Sequence, residues 1–444
     1  MRVAYGPMGS AGRLVAAAVA IAAALVVTAS ASAAVPGRSF TAVADGFVSA
    51  TAPRTSYGRA RLLQVRARPA ARAYLRFQVA GLGGDVATAR LRVFVSRGRG
   101  TLQVRAVARR RWSERSLTFR SAPRLGRLIA SARVKRGWRT FDVGRLVRAA
   151  GRVDLALVAS NGSVTLSSRE GRSKPRLLVT TAPVLLAAGD IASCTETGDT
   201  ATAALLKAVP AATIAALGDL AYESGTPAEF ASCYGPTWGV YKARTHPAVG
   251  NHEYGTPGAA GYFGYWGAAA GGAGGYYSYN LGSWHVVVLN SNCGFVACSA
   301  GSVQETWLRA DLAAHSAKCT LAYWHHPLFS STPGTANPAV RPLWQALYDA
   351  GADVVLTGHA HNYQRYAPQS PSGAADPSRG IREFVVGTGG KARHLVGAPI
   401  PNRQTANDAT FGVLRLTLLD GGYRWRFVPQ AGGVFREAGS AACH

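Results

Sequence analysis

Five short apolar runs in the C-terminal part of this chain end in the same kind of punctuation, and that recurrence limits the fold more than any other feature. The endings are Gly189-Asp190, Gly218-Asp219-Leu220-Ala221-Tyr222, Gly250-Asn251-His252-Glu253, His325-His326-Pro327 and Gly358-His359-Ala360-His361. A short apolar run bounded by turn residues reads as a buried strand. Open α/β sheets place their sites just beyond the C-terminal ends of such strands. Taken singly, each ending has a plain explanation: Gly-Asp is a common turn or helix cap, and a lone His-x-His is more often a surface or core pair. Five in series, all offering oxygen or nitrogen donors, point to a metal site.

The segments between these endings alternate in type. Strands expected at residues 184–188 and 213–217 flank a helix over 200–208, with Asp199 as its cap. A strand at 285–289 precedes a helix opened by the capping box Ser302-Val303-Gln304-Glu305. A strand at 321–324 follows, then a helix that Asn337-Pro338 begins and Gly351 stops, and a strand at 353–357. Further strands are expected at 383–386, 413–419 and 423–428. The pattern predicts an α/β domain of αββα layering with mixed sheets over residues 184–444.

Residues 38–181 have another texture. Stretches such as Ala73-Tyr74-Leu75-Arg76-Phe77-Gln78-Val79 and Arg90-Leu91-Arg92-Val93-Phe94-Val95 alternate with period two between glycine and serine turns, which predicts an all-β sandwich. A linker at Thr181-Ala182-Pro183 would join it to the second domain. Of the formal charge of +27, +25 sits in this first unit and +2 on Arg2 and Arg13: residues 38–181 carry 31 basic and 6 acidic side chains, and from residue 182 onward there are 16 of each. One reading of the arginine excess is GC-rich coding, with no partner involved. The other is an anionic cell-wall polymer or acidic polysaccharide held by salt-sensitive contacts. Nucleic acid ranks behind both, because no base-reading motif accompanies the charge.

Residues 1–33 have the three parts of a secretory signal peptide: Arg2 and Arg13, an apolar stretch over 14–27, and the small residues Ala31-Ser32-Ala33. No later segment is long and apolar enough to span a bilayer, so a secreted protein is expected, at the cell wall or in the medium. Six cysteines in an exported chain predict disulfides. Cys293 and Cys298 bracket one short loop and are the favoured pair, leaving Cys194 with Cys233 and Cys319 with Cys443 by elimination.

Residues from about 184 to 390 resemble the calcineurin-like metallophosphoesterase superfamily, and within it the purple acid phosphatase type. The resemblance implies that Asp190, Tyr222 and His361 bind a first metal, that Asn251, His325 and His359 bind a second, and that Asp219 bridges them. His252 would be the catalytic group left off the metals, meeting the phosphoryl or leaving oxygen. The sequence departs from the wider superfamily in three places. Asp190-Ile191-Ala192 lacks the histidine of an Asp-x-His motif, which Tyr222 replaces; tyrosinate favours ferric iron, with zinc, manganese or iron beside it. His325-His326 is a doublet, of which His325 stands at the ligand position and His326 faces substrate or supports the ligands. Ala360 occupies a position where related sequences often carry aspartate. Residues 38–181 resemble the DNRLRE β-sandwich modules related to carbohydrate-binding modules, through Ala44-Asp45-Gly46, Ser56-Tyr57-Gly58, Tyr74-Leu75-Arg76-Phe77, Trp112-Ser113-Glu114, Leu117-Thr118, Ala122-Pro123 and Ser168-Arg169-Glu170.

Two metals ~3.5–4 Å apart clamp the attacking and leaving oxygens of an in-line displacement, with a hydroxide bridging the metals as nucleophile. The implied activity is hydrolysis of phosphate monoesters, as in an acid phosphatase. A phosphodiesterase acting on nucleotides, lipids or wall polymers is the nearest rival, and a polysaccharide-binding protein with a vestigial hydrolase domain is the other. Asn362, Tyr363 and Arg365 are candidates for the substrate mouth, Arg365 as a phosphate contact. The aromatic, glycine-rich loop at 262–279 is either a rim over the pocket or a packed turn. His246 and His285 read as structural.

Overall fold

A computed structural model of the chain describes residues 37–108 and 112–444. The expected signal peptide lies outside the described residues. Residues 38–182 form a sandwich of nine strands. Two long strands, Asp85–Val107 and Gly151–Ser167, tie its layers together. The first half of Asp85–Val107 pairs with Arg176–Ala182 and Gly137–Asp142, and its second half with Leu125–Val134 and Gly151–Ser167. The pairing leaves regular register at Val95/Arg97 and Thr101/Leu102. Between those points sits Gly98, with φ of 88°, where a Cβ would lie 2.1 Å from the carbonyl oxygen of Ser163. Glycine is therefore required for the bend. Period-two alternation holds on either side: Leu91, Val93, Val95, Leu102 and Val104 enter the core while Arg90 and Arg97 face solvent.

The sandwich passes directly into the second domain. Pro183 alone separates Arg176–Ala182 from Val184–Ala188, and its carbonyl accepts the N–H of Leu418. Asp85 of the sandwich bonds Arg415 at 2.5 Å and Thr417 at 2.6 Å across the junction.

Two sheets face each other in the second domain. The six-stranded sheet runs in the order Thr245–Ala248, Thr213–Leu217, Val184–Ala188, Gly412–Leu419, Gly422–Pro429, Ala438–Ala442; its first three strands are parallel and the rest antiparallel. The seven-stranded sheet is parallel through Trp284–Val288, Cys319–Tyr323, Val354–Thr357 and Arg382–Val386, with antiparallel strands at its edges. Its central strands are buried throughout because both faces are covered. Val286, Val288, Leu321 and Tyr323 point into the core between the sheets. Val287, Leu289, Ala322 and Trp324 point outward under the helices Val303–Ala314 and Arg341–Asp349, where they meet Leu308, Trp344 and Leu347. On the opposite side, Ala203 and Leu206 of the helix Gly198–Lys207 cover the six-stranded sheet. The result is the αββα layering expected from the sequence.

Two local expectations need correction. Asp199 is not the cap of its helix; it lies in the first turn, where its carboxylate accepts the hydroxyl of Thr237 at 2.7 Å. The box at Ser302 is half made: Ser302 caps Glu305, but the Glu305 carboxylate takes the N–H of Gly301 instead of that of Ser302. Of the two readings of the loop 262–279, the structure favours the packed one, with Tyr262 and Trp266 buried in the inter-sheet core. Disulfides join Cys194 to Cys233, Cys293 to Cys298 and Cys319 to Cys443. No helix among the described residues is long and apolar enough to cross a membrane.

Candidate metal centre

The strand ends converge. Val184–Ala188 and Thr213–Leu217 are parallel neighbours, so Asp190 and Asp219 leave the sheet side by side. Cys319–Tyr323 and Val354–Thr357 do the same for His325 and for His359 with His361. Asp190, Asp219 and His359 hold left-handed backbone, with φ of 59°, 52° and 66°. That conformation costs a non-glycine residue roughly 1–3 kcal/mol, and here it turns each side chain inward at the end of its strand. Two glycines permit the approach. A Cβ on Gly250 would sit 2.1 Å from Asp219 Oδ1, and one on Gly218 would sit 2.7 Å from the His325 ring.

Tyr222 is at the middle of one half. Its hydroxyl lies 3.1 Å from Asp190 Oδ1, 3.2 Å from Asp219 Oδ2 and 3.2 Å from His361 Nε2. In the other half, His325 Nε2 lies 3.1 Å from Asp219 Oδ2, 3.0 Å from Asn251 Oδ1 and 3.3 Å from His359 Nδ1. Asp219 Oδ2 is thus shared between the two groups. The imidazoles are held from behind: His325 Nδ1 donates to the Leu217 carbonyl at 2.9 Å and His361 Nδ1 to that of Ala392 at 2.5 Å. Fixing Nδ1 as the donor leaves each Nε2 lone pair facing the centre, the arrangement metal-binding histidines use.

The charge balance also favours cations. Burial pushes the Tyr222 phenol well above its ordinary value, and Asp190 and Asp219 push it further. Burial would raise Asp219 too, but His325 outweighs it and holds the carboxyl well below the usual range. In return, although burial opposes the charge, Asp219 and Asp190 lift His325 to about 9. Two buried carboxylates and a buried phenol with inward-facing lone pairs suit iron, zinc or manganese. No thiolate is at hand, since the cysteines are paired.

His252 flanks this cluster, its ring 4.4 Å from that of Tyr222 and its Nε2 3.8 Å from Asp219 Oδ2. Its Nδ1 donates to the Glu223 carbonyl at 2.6 Å. His326 packs 4.4 Å from the His359 ring and bonds Ser291 Oγ through Nδ1 at 2.9 Å. Burial and the neighbouring His325 and His359 push it down to about 2, so it remains neutral.

Other candidates are placed elsewhere. Arg365 pairs with Glu437 at 2.8 Å and lies over the Trp425 ring, so it does not reach the centre. Tyr363 also bonds Glu437, and Asn362 bonds Thr332 and the His394 carbonyl, which removes all three from the substrate mouth. Ala360 is buried against Tyr366 and Val385. His246 stacks on Tyr279, and His285 bonds Asp311 and Asn280, in keeping with structural roles.

Three further residues support the centre. Glu253, fully buried, accepts the N–H groups of Asp219, Leu220 and Gly250 at 3.0, 2.7 and 2.6 Å. Lys391 pairs with Glu196 and Glu223 and places its ammonium 5.0 Å above the Tyr222 ring. His394 stacks on His361 at 3.8 Å, nearly parallel, and its Nδ1 accepts the His361 N–H. Glu253 closes the Gly-Asn-His-Glu motif already quoted, and the other two follow Gly387-Thr388-Gly389-Gly390, a glycine ending like four of the five above but lacking a carboxylate, amide or imidazole.

Comparison with known proteins finds matches in both parts of the chain. The calcineurin-like phosphoesterase family matches residues 184–363, and carbohydrate-binding module family 96 matches residues 36–181. Purple acid phosphatase 15 of Arabidopsis thaliana is 34% identical over 20% of this chain and 18% of its own length. Purple acid phosphatase 22 of the same plant is 30% identical over 33% of this chain and 35% of its own. The chain therefore spans about a third or less of the length of these relatives. The solved structure of a purple acid phosphatase from yellow lupin (Lupinus luteus) seeds aligns over 86% of this chain and 73% of its own, with a TM-score of 0.47 and 16% identity. The residues matched by the calcineurin-like phosphoesterase family include all five strand ends that carry the candidate donors, and those matched by carbohydrate-binding module family 96 make up the sandwich in front of them.

Proposed function

We propose that the protein is a secreted, metal-dependent phosphoesterase that hydrolyses phosphate monoesters in the manner of an acid phosphatase. The observation that carries this reading is the meeting of Asp190, Asp219, Tyr222, Asn251, His325, His359 and His361 around one space, with the His325 and His361 rings anchored from behind. Asp190, Tyr222 and His361 would hold a first cation, Asn251, His325 and His359 a second, and Asp219 would contact both. Tyrosinate suits ferric iron at the first position, with zinc, manganese or iron at the second. When bound, such a pair supplies Lewis acidity, polarising the ester and making water acidic enough to ionise near neutral pH.

The chain's own groups complete the reaction. With Nδ1 of His252 committed to Glu223, proton transfer falls to Nε2, on the side of Asp219, where an imidazolium can protonate the departing alkoxide. Neutral His326 has Nδ1 occupied by Ser291, so its Nε2–H is left as a hydrogen-bond donor for a phosphoryl oxygen. The disulfides suit an oxidising compartment. The N-terminal module would hold the enzyme on an acidic polysaccharide. On its outer face the Arg92 guanidinium lies 4.4 Å over the Trp138 ring, with Phe94 edge-on to it, a surface suited to anionic sugars.

Protein loaded with iron and zinc is expected to cleave nitrophenyl phosphate faster than bis-nitrophenyl phosphate and to show a tyrosinate-to-iron absorption band. Faster cleavage of the bis-ester would shift the assignment to a diesterase, and cleavage of neither by the metal-loaded protein would defeat the proposal. His252→Ala should lower kcat by roughly 10²–10⁴-fold while elemental analysis finds the metals retained. Undiminished turnover would remove His252 from the mechanism.

A further inference from the structure

Far from the metal centre, three carboxylates from separate parts of the sandwich meet. Asp45 lies on the strand Ala44–Ser49, Glu114 follows Trp112, and Glu170 lies just beyond the strand Gly151–Ser167. One oxygen of each lies within 4.8 Å of the others. Asp45 is 0% exposed. Its Oδ2 accepts the Arg169 N–H at 2.7 Å, while its Oδ1 is buried without a partner. The Asp45 N–H donates to Glu114 Oε1 at 2.6 Å, and Ser168 Oγ donates to Glu170 Oε2 at 3.1 Å. The cation meeting this group is Arg169, whose Nε stands 3.0 Å from Glu114 Oε1 and 2.7 Å from Glu170 Oε1.

One guanidinium does not balance three carboxylates, and a buried oxygen without a partner costs free energy until something positive reaches it. We infer that Asp45, Glu114 and Glu170 form a calcium site in the N-terminal module, fastening its early strand to two distant turns. All the donors are hard oxygens, with neither imidazole nor thiolate in the group, which selects against zinc, copper and iron. Carboxylates on three independent segments suit the larger, geometrically tolerant Ca²⁺ better than Mg²⁺, which demands near-ideal octahedral geometry. The pull on a proton points the same way. Burial, opposed by the Arg169 N–H and reinforced by Glu170 and Glu114, pushes the Asp45 carboxyl up to about 7. The role is structural and independent of the phosphoesterase reading.

The test uses the full chain, treated with EGTA and then given CaCl₂ or MgCl₂ alone, with thermal unfolding and calorimetric titration as readouts. At 10 mM Ca²⁺ the melting temperature should rise by about 5 °C, the shift expected for a site of ~10⁻⁴ M affinity, and Mg²⁺ should give less than half of it. Asp45→Asn should abolish the shift, and Glu170→Gln, at a less buried position, should do the same should the first variant fold poorly. A shift of equal size in both variants, no shift in the wild type, or an equal response to Mg²⁺ would overturn the assignment. A melting temperature that rises on acidification to pH 5 but ignores Ca²⁺ would also overturn it, showing that a proton alone serves Asp45.

Discussion

Glu253 accepts four backbone N–H groups, of Asp219, Leu220, Ala221 and Gly250, from the loops that carry Asp219 and Asn251, and so fixes the positions of both without reaching the centre itself. Glu253→Ala would leave those buried donors unpaired, at roughly 1–3 kcal/mol each. Loss of such a support typically lowers metal affinity ~10–100-fold. Chelator competition should detect the weaker binding and urea unfolding the lost stability; a variant with wild-type metal affinity would show that the loops hold themselves. Arg365 teaches the converse. Following the His-x-His motif, it invites a phosphate-binding role, yet its partner is Glu437, 72 residues away in sequence. The long arginine stem reaches past the sheet to whichever carboxylate packing supplies, and no local pattern announces that choice.

At the scale of elements, the strand endings matter more than the strands. Parallel neighbours deliver their C-terminal residues to one edge of a sheet, so donors far apart in sequence arrive together with no long loop to order. The six-stranded sheet is completed by the strand Ala438–Ala442, and the disulfide from Cys443 to Cys319 fastens this end of the chain to the first strand residue of the neighbouring sheet. That bond spans 124 residues. Replacing both cysteines by serine should destabilise the protein by roughly 2–5 kcal/mol, measurable as a lower denaturant midpoint. An unchanged midpoint would mean that sheet pairing alone holds the terminal strand.

For the whole molecule, charge separates the two halves: the sandwich is strongly basic and the second domain is balanced. Binding of the full chain to an acidic polysaccharide should therefore weaken severalfold between 50 and 300 mM NaCl as screening shortens to below ~10 Å. Salt-independent binding would point to sugar stacking instead of charge. The αββα layering was legible because strand and helix periods, glycine stops and proline starts are short-range signals written in consecutive residues. The side chains proposed as ligands, Asp190, Asp219, Tyr222, Asn251, His325, His359 and His361, could be singled out for the same reason, each standing in a short motif at a strand end. Three other features were settled only by packing. Glu253, Lys391 and His394 gained their places behind the centre from the way loops close. The carboxylates of Asp45, Glu114 and Glu170 stand in three separate short motifs of the sequence and meet only in the folded sandwich. The directness of the junction at Pro183, where two domains share bonds through Asp85, was equally hidden. The sequence alone determined which chemistry each segment carries, because side-chain identity and local backbone preference are properties of neighbouring residues. The tertiary structure decided which of those groups meet, because a contact between distant segments depends on how whole sheets and loops pack.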